Sequence, residues 1–241
     1  MRQTPQAKSH QNSSHPQTNL AVRVMSNEQK KESAQRVVSP RLVRQVPNPK
    51  SKVLFLGYPE EKTKLIGDLI DFDCEVWHTE EKIKSTSGYD TIISYGYRHI
   101  LKQDIIESSP VPIINLHISY LPWNRGAHPN FWSFYDSTPS GVSIHLIDEN
   151  IDTGPILYQK YVNFGAEEIT FTQTYNRLIQ EMEQLFRENI ESIVMKKFIA
   201  IPQRRKGSYH GVSDLPEDFS GWDSNIQIEV MRLDKILLGE K

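Results

Sequence analysis

The sequence predicts an α/β protein built on a mostly parallel sheet, and two observations lead to that prediction. Between residues 52 and 117, short apolar runs of strand length alternate with stretches of helical spacing. This alternation is typical of βαβ units, whose strands run parallel. One apolar run ends in two polar residues, Asn115 and His117. The carboxyl ends of parallel strands are where open α/β sheets bind ligands, so we expect a functional site there.

The strands and helices follow from the spacing of the apolar residues. Strands are predicted from short apolar runs that end at Gly or another turn residue; in chain order they cover 52–58, 74–79, 89–97, 111–117, 140–148 and 156–164. Helices are predicted where apolar residues recur three or four positions apart, over 60–70, 99–109, 128–137 and 170–199. Pro129 suits the first turn of its helix, where a missing N–H costs little. Residues 201–241 are turn-rich and form a short C-terminal segment.

The first fifty residues differ in composition from the rest. Residues 1–52 hold ten Lys or Arg and two Glu, with no Gly, Cys or aromatic residue, so they carry +8; the whole chain carries −2, so the remainder carries −10. Such a stretch buries too little apolar surface to offset its ordering entropy. We therefore expect a disordered basic arm over 1–50, a catalytic domain over 51–200 and a C-terminal segment over 201–241. A solvated tail, a late start at Met25 and an acid-poor targeting peptide all fit the arm.

Several function classes are disfavoured by composition. The single cysteine, Cys74, excludes disulfide frameworks and cysteine-based zinc sites. No run approaches the ~18 apolar residues that a membrane span needs. The acidic remainder argues against duplex nucleic acid as the main partner. We expect a cytoplasmic protein of a reducing compartment, without metal, membrane or nucleic-acid partners.

The polar strand end suits acyl transfer. Side chains alternate along a strand, so Asn115 and His117 share a face. An amide and an imidazole side by side can hold a carbonyl oxygen as it becomes an oxyanion, and the imidazole can move a proton. Asp152, in the turn Asp152-Thr153-Gly154, is a candidate to orient His117. No Ser or Cys nucleophile accompanies them, so the substrate supplies the nucleophile; an amine attacking an activated acyl group fits.

Each of these elements alone also fits a capped strand end or an ordinary tight turn. The remaining histidines of the predicted strands and loops carry no such pattern. We expect His78, His99 and His145 to be surface or core histidines and not ligands, and we find no convincing metal-binding spacing.

Two longer stretches resemble the formyltetrahydrofolate-dependent formyltransferase family. They are NLHISYLPWNRG (115–126) and GVSIHLIDENIDTGPIL (141–157), in the family's order and approximate spacing. The resemblance covers most of residues 52–200 and implies a Rossmann-like formyltransferase fold. It also implies that Asn115 and His117 stabilise the tetrahedral intermediate, that His117 accepts the proton, and that Asp152 holds His117 or organises a water that relays the proton. Ile118 stands where relatives often have Pro.

The same resemblance implies N10-formyltetrahydrofolate as the formyl donor. In the family, the pterin meets the backbone of the loop after the third strand. In this chain the corresponding residues are Tyr97, Arg98, His99, Ile100 and Leu101. An apolar pocket with main-chain donors suits a flat heterocycle with polar edges.

The acceptor is inferred from differences between members of the family. GYPEEKTK (57–64) places two Glu where glycinamide ribonucleotide formyltransferases bind phosphate. The stretch after the long helix is shorter than the tRNA-binding barrel of methionyl-tRNA formyltransferases, and a formyltetrahydrofolate hydrolase would carry a ligand-binding domain in place of the arm. Sugar N-formyltransferases remain, and WNRGAHPNFWSF (123–134), GSYHGVSDLP (207–216) and GWDSN (221–225) are similar to segments of those enzymes.

The loop after the catalytic strand would then bind the acceptor. The residues expected to meet the sugar or the diphosphate are Trp123, Asn124, Arg125 and Gly126, although the aromatic residues of this stretch also suit core packing. An Arg fork matches phosphate oxygens. The basic run Arg204, Arg205 and Lys206 fits either a nucleotide diphosphate or a solvated charge cluster.

The sequence and this resemblance thus predict a homodimeric formyltransferase of polysaccharide (for example O-antigen) biosynthesis. Its predicted acceptor is a dTDP-linked 4-amino-4,6-dideoxyhexose. Alternatives are a methionyl-tRNA or other amine formyltransferase, hydrolysis of the formyl group by water, and a non-catalytic folate-binding or interaction protein of the same fold.

Overall fold

A computed structural model describes residues 39–239, so residues 1–38 of the predicted arm lie outside the described part. The strands are β1 Arg41–Arg44, β2 Ser51–Gly57, β3 Cys74–Thr79, β4 Thr91–Tyr95, β5 Ile113–His117, β6 Arg125–Gly126, β7 Gly141–Leu146, β8 Ile156–Tyr161 and β9 Tyr209–His210. The α-helices are α1 Leu65–Asp71, α2 Gln103–Glu107, α3 Pro129–Tyr135, α4 Phe171–Val194 and α5 Ile226–Leu237, and Val212–Asp214 form a 3₁₀-helix.

Seven of the strands form one mixed sheet in the order β1-β3-β2-β4-β5-β7-β8. The four central strands, β3, β2, β4 and β5, run parallel. Antiparallel strands flank them: β1 beside β3, and β7 followed by β8 beside β5. The predicted α/β fold and its mostly parallel sheet are therefore confirmed. The change from parallel to antiparallel pairing falls at β5, the strand that carries Asn115 and His117.

The core lies on both faces of this sheet. In β2, Val53 and Phe55 pack with residues of α1 and α4, whereas Leu54 and Leu56 pack with residues of α2. All four side chains are fully buried, as expected for a central strand covered on both sides. A third cluster joins α3, the start of α4 and α5 through aromatic and aliphatic side chains. Those packed layers fix the position of the strand ends.

The long helix α4 begins at a capping box. The Thr170 hydroxyl accepts a hydrogen bond from the backbone N–H of Gln173 at 3.2 Å, and the Gln173 side chain accepts one from the backbone N–H of Thr170 at 3.0 Å. Such reciprocal bonds satisfy backbone groups that the first helical turn leaves unpaired. The N-terminus of α4 is thereby fixed where its first turns line a cavity.

Strand β1, helix α5 and the two-residue strands β6 and β9, which pair with each other, were not predicted from the sequence. Strand β1 falls inside the stretch predicted as the disordered arm of residues 1–50; its short Arg-Leu-Val-Arg sequence pairs with the exposed edge of β3. Helix α5 falls in the segment described only as turn-rich, and it begins at an N-cap where the Asn225 side chain accepts from the N–H of Ile228. Within residues 39–239, no helix combines the length and apolar character needed to cross a membrane.

Candidate active site

The site is built where β5 meets the antiparallel strand β7. Asn115 and His117 lie on β5, and the register pairs Asn115 with His145 of β7. Their side chains point to the same face because their positions differ by two. The turn that follows β7 brings Asp152 back toward both of them. Residues from two separated segments therefore meet at the carboxyl end of a central strand.

The Asp152 carboxylate lies at the centre of this cluster. One oxygen, Oδ1, accepts a hydrogen bond from Asn115 Nδ2 at 3.2 Å and lies 3.4 Å from His145 Nε2. The other, Oδ2, lies 3.6 Å from His117 Nε2 and accepts a 2.9 Å hydrogen bond from the backbone N–H of Gly126. The structure thus brings together the three residues predicted as catalytic, Asn115, His117 and Asp152.

The environment keeps the Asp152 carboxyl group ionised. Burial alone would raise its pKa, because the side chain is only 11% exposed. The charge that His117 and His145 carry when they are protonated, together with the hydrogen bonds from His145 and Gly126, outweighs burial and holds the pKa of Asp152 well below its usual range. A permanent negative charge therefore lies next to two imidazoles.

The hydrogen bonds of the imidazoles indicate where their protons lie. His117 Nε2 is 3.2 Å from the carbonyl oxygen of Asn124, and His145 Nδ1 is 2.8 Å from that of Leu146. A carbonyl oxygen only accepts, so each of these nitrogens carries a proton. In the neutral His117 ring the lone pair is then on Nδ1, and the His117 ring lines the adjacent cavity. This imidazole can accept a proton from a bound substrate.

A cavity of about 550 Å³ opens beside the cluster. Its lining includes Asn115, His117, Asp152 and His145 together with residues of the loop after β4. From that loop it receives Tyr97, His99, Ile100 and Leu101, four of the five residues predicted to bind the donor. Within residues 39–239, Arg98 is not part of the lining.

The loop predicted to bind the acceptor is divided in the structure. Gly126 lines the cavity, whereas Trp123, Asn124 and Arg125 are not part of its lining within the described residues. Asn124 is completely buried, and its side chain is held by Thr138 at 2.8 Å and by Ser208 at 3.0 Å. Its amide is therefore used for structure, and its backbone carbonyl positions His117.

Arg125 and the basic run also have definite positions. Arg125 Nη2 donates to Gln203 Oε1 at 3.2 Å, so this guanidinium contacts the C-terminal segment. Arg204, Arg205 and Lys206 are exposed. Of the two interpretations of that run, the solvated charge cluster matches its exposure.

Two residues of the site were not predicted. His145 was expected to be a surface or core histidine; it is buried at 1% exposure, yet it contacts both Asn115 and Asp152. Gln203 lies outside the predicted catalytic domain and contacts the backbone of the Asp152 turn. The alternation of side chains along β7 would have placed His145 in the site only if the pairing of β7 with β5 had been known.

A second cavity of about 450 Å³ borders the first, sharing Ile118 and Pro129 with it. It lies between α3 and the first turns of α4, and Trp222 and His128 contribute aromatic rings to its wall, with centroids 5.4 Å apart. Burial lowers the pKa of His128, which favours a neutral ring. Within the described residues, no group of three or more His, Cys, Asp or Glu side chains is arranged to hold a metal ion.

Known proteins resemble this chain in sequence and structure. The solved formyltransferase PseJ from Anoxybacillus kamchatkensis, in complex with UDP-4,6-dideoxy-4-formamido-L-AltNAc and tetrahydrofolate, is 43% identical, with 73% of this chain and 96% of that chain covered and a TM-score of 0.67. A 4-N formyltransferase from Francisella tularensis shares the fold at 20% identity, with 75% and 86% coverage and a TM-score of 0.61.

Curated sequences include more distant relatives. A methionyl-tRNA formyltransferase from Thermodesulfovibrio yellowstonii is 34% identical over 140 residues, which are 57% of this chain and 44% of that protein. The chain thus spans less than half the length of this relative. The Formyl transferase family matches residues 3–190. With that match and the PseJ likeness over most of both chains, this protein belongs to the formyl transferase family.

Proposed function

We propose that the protein transfers the formyl group of N10-formyltetrahydrofolate to the 4-amine of a nucleotide-linked 4-amino-4,6-dideoxy sugar. The observation that supports this most is the cluster of Asn115, His117 and Asp152 on the wall of a cavity that also includes the loop expected to bind the donor. One cavity thus places an amide donor and a proton acceptor beside the loop expected to bind the formyl donor.

The chemistry follows from the properties of these groups. The neutral amine attacks the formyl carbon, a C–N bond forms, and the carbonyl oxygen becomes an oxyanion. Asn115 Nδ2 donates to that oxygen, and His117 takes the proton that the amine loses. When the tetrahedral intermediate collapses, the bond from the formyl carbon to N10 breaks and N10 receives the proton from His117. The products are a formamido sugar and tetrahydrofolate, so atoms and charges balance.

The donor side of the cavity suits a folate. Its lining includes the apolar residues Leu101, Ile106 and Ile147 beside the backbone of the loop after β4. An apolar slot with a few polar edges is typical of sites for flat heterocycles. The complex of the PseJ relative with tetrahydrofolate supports the same donor class for this chain.

The second cavity supports a nucleotide-linked acceptor. It adjoins the catalytic cavity at Ile118 and Pro129, so an extended ligand can have its sugar at His117 and its base beside Trp222. Neutral aromatic walls suit an uncharged pyrimidine. The UDP-linked 4-formamido sugar bound to PseJ supports the 4-amine and makes UDP a nucleotide to compare with the dTDP expected from the sequence.

Methionyl-tRNA is the second candidate acceptor, because the curated relatives with 31% to 39% identity carry that activity in their names. The homodimer, the cytoplasmic location and the role in polysaccharide biosynthesis stay predictions from the sequence.

A direct assay separates these functions. The purified protein is incubated with N10-formyltetrahydrofolate and, in separate reactions, UDP- and dTDP-linked 4-amino sugars, a 3-amino isomer, and charged methionyl-tRNA. Mass spectrometry follows each acceptor, and free formate is measured in parallel. We expect a mass gain of one CO on a 4-amino sugar nucleotide. Formylated methionyl-tRNA alone, or formate without a formylated acceptor, would refute the proposal.

A further inference from the structure

Gln203 lies in the segment after α4, against the turn that carries Asp152. A backbone bridge anchors this segment: Ile156 and Ile201 exchange two hydrogen bonds of 2.8 Å each. The bridge joins the C-terminal segment to the start of β8, two residues after Gly154. As a result, Gln203 faces the Asp152 turn although the two are distant in sequence.

The Gln203 carboxamide connects two loops of the active site. Its Nε2 donates to the carbonyl oxygens of Asp152 at 2.9 Å and of Gly154 at 2.8 Å. Its Oε1 accepts from Arg125 Nη2 at 3.2 Å. Both N–H bonds and the oxygen of the amide are therefore used. No other uncharged side chain of this length offers two donors and an acceptor in one plane.

These contacts close a ring around the Asp152 carboxylate. Gln203 holds Asp152 by its backbone, and Gly126 holds the same residue by its carboxylate, through an N–H···Oδ2 bond of 2.9 Å. Gly126 directly follows Arg125, whose guanidinium returns to Gln203. The carboxylate that contacts His117 is thus fixed from both ends, by two loops that Gln203 ties together.

The backbone of Asp152 has an uncommon conformation, which the bonds from Gln203 support. Asp152 has φ = 53°, in the left-handed region, which few residues other than Gly adopt, Asp and Asn more often than the rest. The two bonds from Gln203 hold the carbonyls on either side of Thr153. Without them, the turn can relax and carry the carboxylate away from His117.

We propose that Gln203 is a positioning residue that holds Asp152 in place for proton transfer at His117. For its effect on rate this proposal rests on the proposed function, whereas its effect on the geometry of Asp152 does not. The residue acts through the Asp152 turn and touches no reacting atom.

The kinetic test uses the substitutions Gln203→Ala and Gln203→Glu. Gln203→Ala removes the hydrogen bonds to the Asp152 and Gly154 carbonyls and to Arg125. Gln203→Glu keeps the shape of the side chain, but a carboxylate cannot donate to the two carbonyls. We expect kcat to fall about tenfold or more in both variants, with each KM within about threefold of wild type, because misplaced groups cost rate more than binding. Gln184→Ala is the matched control, because the Gln184 side chain is exposed and its amide donates only to Glu188 on the same helix; it should match wild type. A kcat within about threefold of wild type in both Gln203 variants would overturn the proposal.

A second measurement is independent of activity. In NMR spectra, the Gly126 amide reports its bond to Asp152, and the Asp152 carboxyl carbon reports the pKa of that group. We expect Gln203→Ala to shift the Gly126 amide and to raise the pKa of Asp152 toward its ordinary value, while the control Gln184→Ala changes neither. If no acceptor is formylated, the proposed function fails and this test still applies. Unchanged Gly126 and Asp152 signals in both folded Gln203 variants would refute the proposal that Gln203 holds Asp152 in place.

Discussion

Asp152 and Glu181 are both largely shielded from solvent, and their surroundings differ in a way that separates chemistry from structure. Asp152 contacts two imidazoles and an amide, and it lines a cavity. Glu181, on α4, is 9% exposed at its side chain and contacts Lys160 at 2.5 Å and Arg177 at 2.7 Å. Lys and Arg stay charged at neutral pH, whereas imidazole can gain and lose a proton there.

The pKa of each acid is lowered for the same reasons. Burial acts to raise both, and neighbouring positive charges and hydrogen bonds overcome it. A low pKa alone therefore does not mark a catalytic acid. The partner that can exchange a proton, and the cavity in which a substrate can reach it, distinguish Asp152 from Glu181.

The largest effect is expected at the groups that face the reacting atoms. We expect His117→Ala and Asn115→Ala each to lower kcat about a hundred- to a thousandfold, because one removes the proton acceptor and the other an oxyanion donor. Steady-state formyl transfer measures this, and thermal melting checks that each variant folds. A His117→Ala enzyme with substantial activity would refute the assignment.

A smaller effect is expected in the second cavity. Replacing Trp222 with Leu removes a stacking surface and keeps apolar bulk, so we expect KM for the nucleotide sugar to rise about tenfold, in line with 1–3 kcal/mol for a stacked base. The KM of the formyl donor should not change. Trp222→Phe retains an aromatic ring and is the matched control. Equal KM values in wild type and Trp222→Leu would place the base elsewhere.

The pH dependence of stability offers a third comparison. Because the pKa of folded Asp152 lies below its unfolded value, the group stabilises the fold above the unfolded pKa of about 3.9, and this stabilisation is lost as pH falls through the folded pKa. We therefore expect wild type to melt higher than Asp152→Asn at pH 7, with a gap that narrows below pH ~4. A gap that stays constant or widens in acid would contradict the lowered pKa.

The smallest effect on activity is expected at Glu181, where a substitution should instead lower the stability of the fold. Glu181→Gln removes the negative charge that pairs with Lys160 and Arg177. Because both basic side chains are partly exposed, we expect a loss of about 1–2 kcal/mol in the free energy of unfolding. Denaturant unfolding of wild type and variant measures it. A stability equal to that of wild type would show that this ion pair contributes nothing net.

Much of the fold was predictable from the sequence because local patterns specify it. Buried parallel strands are continuous apolar runs, and β3 was predicted with the bounds found, Cys74–Thr79. Strand β1 has only Leu42 and Val43 between arginines, so its pairing depends on the free edge of β3 and not on its own sequence. Helix α5 carries apolar residues at Ile226, Val230 and Leu233 and an Asn225 N-cap, a helical signal that the turn-rich composition before it obscured.

The candidate site was predictable only in part, for a related reason. Asn115 and His117 stand two residues apart on one strand, so their shared face follows from strand geometry. The contact of His145 with Asn115 depends on the register of β7 against β5, and Gln203 reaches Asp152 through the bridge at Ile201. Pairings between distant segments leave no periodic mark in a single sequence.

One paired measurement tests the central claim most directly: the rate of formyl transfer in Asp152→Asn and in Glu181→Gln. Each replaces a buried carboxylate with an amide of the same shape, so loss of charge and of packing are matched. We expect Asp152→Asn to fall about a hundredfold in kcat, and Glu181→Gln to stay within about twofold of wild type at a temperature where both are folded. Equal rates in the two variants, or a larger loss in Glu181→Gln, would contradict the assignment of chemistry to the Asp152 cluster.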